Sequence, residues 1–340
     1  MRAVVKFKKG PGNIKLMEIN EPKVGPGQIK IQIKFAGICG TDLHIRKDEF
    51  WCNPPVVLGH ECCGIITEIG ENVIGFQIGD RVTTETAAVV CGQCEFCMSG
   101  NYLMCHERLS IGYGVDGGFA EYLVVRKEIV HKIPDKVTMQ EAALSEPAAV
   151  AYHSVFDYSN IKPDQTIVVF GPGTIGQLVA QVVRTMGAKV ILCGTAKDSM
   201  RLKIAENLGI ETLITDKIDV PKNIMDVTDG LGADYVFDCS GAGPAITQGI
   251  NSLKKQGTLI QVGLTATSIT LDYGVLPMKE ISIRGAFGHI NSSWHGALKM
   301  MDRNQINVIP LISRELVLED WEEAFNLAED LDAIKVLLHP

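Results

Sequence analysis

The chain has 340 residues, of which 46% are apolar and 21% charged, and 32 Lys and Arg set against 40 Asp and Glu leave a formal charge of −8. One hydrophobic core rarely serves more than about 250–300 residues, so two domains are expected. The composition excludes a disordered chain, a collagen and a coiled coil. An acidic chain repels phosphate backbones, so nucleic acid is not an expected partner.

Residues Met1–Gly10 carry no apolar run and no cleavage site, so no signal peptide is expected. No run of about 18 apolar residues predicts a membrane span. Even residues 168–194 are broken by Gln177, Gln181, Arg184 and Lys189. A reducing, cytoplasmic setting is the expectation. Ten cysteines there point to metal ligation rather than disulfides.

The first 150 residues read as β-rich. Ile29 to Phe35 alternates apolar and polar, the mark of a half-buried strand. Gly25-Pro26-Gly27, Asn53-Pro54-Pro55 and Gly79-Asp80-Arg81 punctuate short strands, which suits a small antiparallel barrel or sandwich. Cys39-Gly40-Thr41-Asp42 with His44 follows the alternating strand, and Gly59-His60-Glu61 follows the double proline. Each is weak alone. Together they supply thiolate, imidazole and carboxylate, a set that suits zinc with one open position. Cys91, Cys94, Cys97 and Cys105 are spaced x2, x2 and x7. Four such thiolates make a closed tetrahedral zinc site, and Gly92 eases the first turn. Ser145-Glu146-Pro147 adds a carboxylate just before the pattern changes.

From about residue 150 strands and helices alternate. Ile167–Phe170, Val190–Cys193, Asp234–Asp238 and Leu259–Gly263 read as strands, and residues 175–186 and 201–208 as helices. That rhythm predicts an α/β, doubly wound parallel sheet. Gly171-Pro172-Gly173-Thr174-Ile175-Gly176 follows the first strand and opens a helix, the context that makes a Gly-x-Gly-x-x-Gly turn a dinucleotide site. An acidic residue at the end of the next strand usually binds the ribose. Here Gly194-Thr195 stands there, with Lys197, Asp198 and Arg201 following. A missing carboxylate and two nearby cations favour NADP(H) over NAD(H), with Asp198 as the residue that could serve NAD. Leu276 to Arg284 reads as an edge strand. After about Phe287 the βα rhythm lapses, and the tail reads as one helix, from Trp321 to Leu327, and one strand, from Ala333 to Leu338.

These motifs, in this order, make the whole chain resemble the zinc-dependent medium-chain alcohol and polyol dehydrogenases. Glu146 stands where ethanol-type members carry a cysteine ligand. In this respect the chain is similar to the polyol branch, including bacterial sorbitol (L-iditol) dehydrogenases. The resemblance implies a GroES-like catalytic domain from residues 1–149 and 286–340, with a structural-zinc lobe at about 88–108. It places a Rossmann domain at 150–285, with the metal in the cleft between the two.

It implies two zinc ions per chain. The catalytic one would be held by Cys39, His60 and either Glu61 or Glu146, and the structural one by Cys91, Cys94, Cys97 and Cys105. Thr41 would bond the substrate oxygen, and His44 would end a proton relay through the cofactor ribose. The cofactor site would comprise Gly171, Gly173, Thr174, Ile175, Gly176, Gly194, Thr195, Lys197, Arg201, Val262, Gly263 and Phe287. Phe50, Trp51 and His289 are the candidate substrate contacts. The family's polyol-binding arginine is absent, and Gly285-Ala286-Phe287-Gly288-His289 stands in its place.

The implied reaction moves hydride between a secondary alcohol (a polyol or sugar alcohol) and NAD(P), giving the ketone, with zinc as the Lewis acid. The expected assembly is a homotetramer, with a dimer second. An L-threonine-type amino-alcohol dehydrogenase is the rival enzyme. A nucleotide-binding protein that has lost catalysis is the rival outside enzymes.

Overall fold

The computed structural model describes residues 1–265 and 268–340. It falls into two compact units. One comprises Met1–Ala149, His289–Arg303 and Val308–Pro340, and the other Val150–Gly288 and Asn304–Asn307. Among the described residues no helix is long and apolar enough to cross a membrane.

The second unit is built on six parallel strands: Thr166–Phe170, Lys189–Gly194, Glu211–Ile214, Ala233–Asp238, Leu253–Gln261 and Ser282–Gly285. Counted in chain order within this sheet, they lie third, second, first, fourth, fifth, sixth. That order is the doubly wound dinucleotide arrangement. The inner strands are apolar along their length because helices cover both faces. Ile167, Val168, Val169, Ile191, Leu192 and Val236 are all fully buried. The helix Thr174–Thr185 follows the first strand and buries Gln177, whose amide donates to the Arg201 carbonyl at 2.6 Å.

One expected strand is shorter than the sequence suggested. Residues 276–284 do not run as a single strand: Val275–Lys279 is helical, Glu280 turns at φ +50, and only Ser282–Gly285 pairs. Pro277 explains this, because it has no N–H for a ladder and its fixed φ suits a helical first turn.

In the first unit the strand Gln28–Gly37 is the hub. It pairs antiparallel with Glu61–Ile69, with Tyr122–Arg126 and with Lys335–His339. Lys335–His339 in turn pairs parallel with Ile312–Val317. Ile29, Ile31 and Ile33 point inward and join a core with Val4, Leu58, Ile66, Phe119, Phe325 and Leu338. Each such buried aliphatic side chain contributes about 1.5–3 kcal/mol.

The tail holds more than the expected helix and strand. A helix, Asn291–Asp302, and the strand Ile312–Val317 were not anticipated. Trp294, Ala297, Leu298 and Met301 form a helical stripe, and the N-cap residue is Ile290, which offers no capping acceptor of its own although its N–H donates to Ser293 Oγ at 3.4 Å. In the strand, Arg314 and Glu315 are exposed side by side and interrupt the alternation.

Candidate functional site

Cys39 is the N-cap of the helix Gly40–Arg46, and its N–H donates to Asp42 Oδ2 at 2.9 Å. His60 and Glu61 lie at the start of the neighbouring strand, where Glu61 pairs in register with Gly37. Cys39, His60 and Glu61 each offer a ligand atom within 4.8 Å of the others, and the last two are buried. Asp42 is fully buried, with Oδ1 3.8 Å from His60 Nδ1. Neither atom has a hydrogen-bond partner among the described residues. Burial opposes a charged His60, yet Asp42 and Cys39 outweigh it and hold the imidazole well above its usual range. Burial also pushes the Asp42 carboxyl up, while His60 pulls it back. Soft thiolate, imidazole and carboxylate converging on buried, unsatisfied atoms fit a zinc ion.

Glu61 already has one cation. Lys335 Nζ donates to Glu61 Oε1 at 2.9 Å and Oε2 at 2.6 Å, and to the Ile38 carbonyl at 2.9 Å. Burial opposes the charge on Lys335, but Glu61 and Cys39 outweigh it and raise its pKa. Gly37 is required here because a Cβ would collide with Glu61 Oε2. Glu146, in the first turn of the helix Ser145–Phe156, is not part of the three-residue cluster but feels its charges. Burial pushes it up to about 7, with His60 pulling down and Glu61 pushing up. Its Oε1 lies 3.6 Å from His289 Nε2.

Thr41 Oγ1 sits 3.7 Å from Cys39 Sγ. His44, three residues along the same helix and so on the same face, is partly exposed, with Nδ1 2.8 Å from Glu49 Oε2. A carboxylate only accepts, so Nδ1 carries a proton in this contact and Nε2 faces away from Glu49.

The four cysteines of the lobe form a second cluster, with all four sulfurs within 4.8 Å of one another and Cys91 3.9 Å from Cys97. Zn–S bonds of ~2.3 Å in a tetrahedron put sulfurs about 3.8 Å apart, so this lobe fits zinc too. Backbone N–H groups of Gln93 and Cys94 draw the Cys91 thiol down to about 7. Burial pushes Cys97 up to about 12.

The glycine turn divides its labour as the motif requires. Gly171 takes φ +93, Gly173 has nothing within 4 Å of where a Cβ would stand, and a Cβ at Gly176 would collide with the Gly171 carbonyl. The open face at Gly173, the N-cap of the helix, suits a pyrophosphate. Val262 and Gly263 both donate their N–H to the Asp238 carbonyl. At Gly194 a Cβ would lie 2.8 Å from the Pro172 ring, so close packing also calls for glycine there. Asp198 turns back on its own loop, accepting from Thr195 N at 2.9 Å and Thr195 Oγ1 at 2.8 Å, with Arg201 3.7 Å away. Lys197 is exposed.

The three candidate substrate contacts sit in different surroundings. Trp51 is 56% exposed, and Phe50 packs edge-on against Tyr113 at 5.4 Å. His289 is 1% exposed and accepts from Trp294 Nε1 at 2.8 Å. Sequence reading passed over Asp42 and Lys335. Asp42 had a signal in its capping position three residues after Cys39. Lys335 had only its oddity as a cation inside the apolar run from Ile334 to Leu338.

Two family models match the chain: the alcohol dehydrogenase GroES-like domain over residues 25–135 and the zinc-binding dehydrogenase over residues 174–303. A sorbitol dehydrogenase of Halalkalibacterium halodurans is 41% identical, covering 100% of this chain and 99% of its own. A D-arabitol-phosphate dehydrogenase of Enterococcus avium is 36% identical, covering 99% of this chain and 97% of its own. A solved structure from Sinorhizobium meliloti, bound to NADP, is 30% identical with a TM-score of 0.92, covering 100% of this chain and 99% of that one.

Proposed function

We propose that this chain, which belongs to the zinc-dependent medium-chain alcohol dehydrogenases, oxidises a secondary alcohol of a polyol to the ketone and passes the hydride to NADP. The observation that carries this reading is the buried meeting of Cys39, His60 and Glu61 with Thr41 beside the thiolate. Cys39 and His60, with Glu61 or Glu146, would hold the catalytic zinc. The ion supplies Lewis acidity toward the substrate oxygen, and the dinucleotide accepts the hydride. Thr41 orients the alcohol through its hydroxyl and hands the proton on. His44, whose Nε2 faces away from Glu49 while Nδ1 contacts it, releases it to solvent. Asp42, its Oδ1 3.8 Å from His60 Nδ1, would orient His60 once the two close to hydrogen-bonding distance, as a carboxylate behind a metal-binding imidazole commonly does. Of the two glutamates, Glu61 is occupied by Lys335, which favours Glu146 as the carboxylate that meets the ion.

Polyol and polyol-phosphate dehydrogenases among the relatives support the substrate class. The test follows NAD(P)H absorbance over a panel of polyols, polyol phosphates and L-threonine. Turnover of L-threonine alone overturns the polyol reading in favour of the amino-alcohol one. No turnover of any, with zinc bound, favours a protein that has lost catalysis.

A second zinc at the cysteine lobe is part of the same proposal, and metal analysis giving one ion per chain defeats it. NADP preference rests on the strand end at Gly194, the engaged Asp198 and the exposed Lys197. Because Gly194→Asp would strike Pro172, the fitting variant is Lys197→Gln. It should lower kcat/KM with NADP and spare NAD. A wild type at least about tenfold better with NAD, a difference of about 1.4 kcal/mol, overturns the preference.

For assembly we favour a homotetramer, with a dimer second. The exposed edge strand Ser282–Gly285 and the neighbouring exposed Met278 and Tyr273 support association there. A monomeric mass by light scattering at micromolar concentration rules it out.

A further inference from the structure

His289 is buried between a donor and a carboxylate. Its Nδ1 accepts from the indole N–H of Trp294 at 2.8 Å, and its Nε2 lies 3.6 Å from Glu146 Oε1. An indole N–H can only donate, so Nδ1 must carry the lone pair, and the proton of the neutral ring sits on Nε2. The indole itself is fixed from behind. Its ring stacks on His131 with centroids 5.3 Å apart and 2° between planes. His131 Nε2 lies 2.9 Å from Glu85 Oε1, which accepts from Asn291 Nδ2 at 2.7 Å. Asn291 and Trp294 share the helix Asn291–Asp302, so that helix is tied at both residues to the sheet carrying His131. Trp294 is fully buried and has no room to release the bond by turning outward.

We propose that His289 is a positioning residue for Glu146: with its tautomer set by Trp294, it offers the carboxylate a hydrogen-bond donor and nothing else. Closing the gap from 3.6 Å by about half an ångström completes an ordinary N–H···O bond. One carboxylate oxygen is then held by Nε2–H and the other is turned free for the metal. A ring with the opposite tautomer would face Glu146 with a lone pair and repel it. The inference rests on the reading that Glu146 helps hold the catalytic zinc. It assigns His289 a place behind that ligand rather than against the substrate.

The test uses zinc-loaded protein and two readouts. Metal affinity at the mixed site is measured by chelator competition, and the His289 tautomer by nitrogen NMR of labelled imidazole. His289→Leu is expected to weaken that metal by about 10–100-fold while leaving the cysteine lobe loaded, the usual size of losing a partner behind a ligand. His289→Gln, whose amide N–H reaches the same place, retains most of the affinity. Trp294→Phe keeps a ring to stack on His131 but frees the tautomer, and the spectrum should then show Nδ1–H appearing. In combination with Glu146→Gln, His289→Leu should add little, because the two act through one contact.

An Nδ1–H tautomer in the wild type overturns the proposal even where a variant fails to fold. Full additivity in the double variant also overturns it. So does His289→Leu with wild-type affinity where Glu146→Gln weakens the metal, and Glu146 then stands as ligand without this support. Wild-type affinity in Glu146→Gln removes the ligand reading and this inference together.

Discussion

The two candidate metal-ligand clusters of the first unit are built in opposite ways. The cysteine lobe gathers four sulfurs from residues 91–105, and its hydrogen bonds run among those same residues, from Cys91 N to Cys105 Sγ and from Cys94 N to Cys91 Sγ. The mixed cluster draws Cys39 from a helix cap and His60 and Glu61 from a strand start, and a buried Lys335 and Asp42 hold its geometry. On the two-zinc reading proposed above, the first cluster would depend on its metal for shape. The second is shaped by the fold, which would leave its metal free to serve chemistry. A site held by its surroundings can keep an open coordination position; a site held by its own ligands is closed.

Cys39→Ala should show this most strongly. Loss of a proposed ligand of the Lewis-acid site should remove several kcal/mol of transition-state stabilisation, about a 10³-fold fall in kcat/KM. The denaturation midpoint should scarcely move, and a parallel collapse of the midpoint would show that the mixed cluster is also metal-shaped. Lys335→Met should do the reverse. It leaves Glu61 as a buried, unpaired charge and costs about 3–5 kcal/mol of stability in urea melts, even in protein stripped of metal. An unchanged melt would mean that Glu61 is not held as a charge.

Cys97→Ala should act locally. Limited proteolysis within residues 91–105 should accelerate and one zinc be lost, while the mixed site keeps its ion. Loss of both metals would join what the comparison separates. The smallest effect is expected from Thr138→Ala. Thr138 accepts from Glu141 N at 3.2 Å and donates its own N–H to Glu141 Oε2 at 2.7 Å, capping the short helix that precedes Glu146. Its loss should cost about 1 kcal/mol. A larger fall in mixed-site metal affinity would reveal that Glu146 is steered from that helix.

The same contrast explains what could be read from the sequence. The convergence of the four cysteines was legible because all of them lie within one short segment. The inner strands of the parallel sheet were legible because they are apolar runs, whereas the edge strand Glu211–Ile214, opening on two polar residues, was not read. The candidate ligands of the mixed cluster were legible as a set of residue types, but not the buried partners Asp42 and Lys335 that hold them. Lys335 pairs with Glu61 across 274 residues, and no local pattern reports it. The helix Asn291–Asp302 escaped because it begins at Ile290 without a capping side chain. With it went the Trp294–His289 bond. The segment from Leu276 misled because Pro277 turns what looks like a strand into a helical turn.

The separation of Glu61 from Lys335 also has a temporal side. The second unit interrupts the first between Ala149 and His289, so synthesis delivers Cys39, His60 and Glu61 long before Lys335. At about 5–20 residues per second, the ribosome needs about 15–50 s to cover the interval between them. During that time the glutamate has no ammonium beside it, and the thiolate, imidazole and carboxylate sit on a chain whose central strand still lacks the neighbour Lys335–His339. The cysteine lobe meets no such delay, since its last ligand emerges fourteen residues after its first. On the two-zinc reading proposed above, metal capture would be ordered by translation, with the cysteine lobe complete first and Lys335 reaching the mixed cluster last.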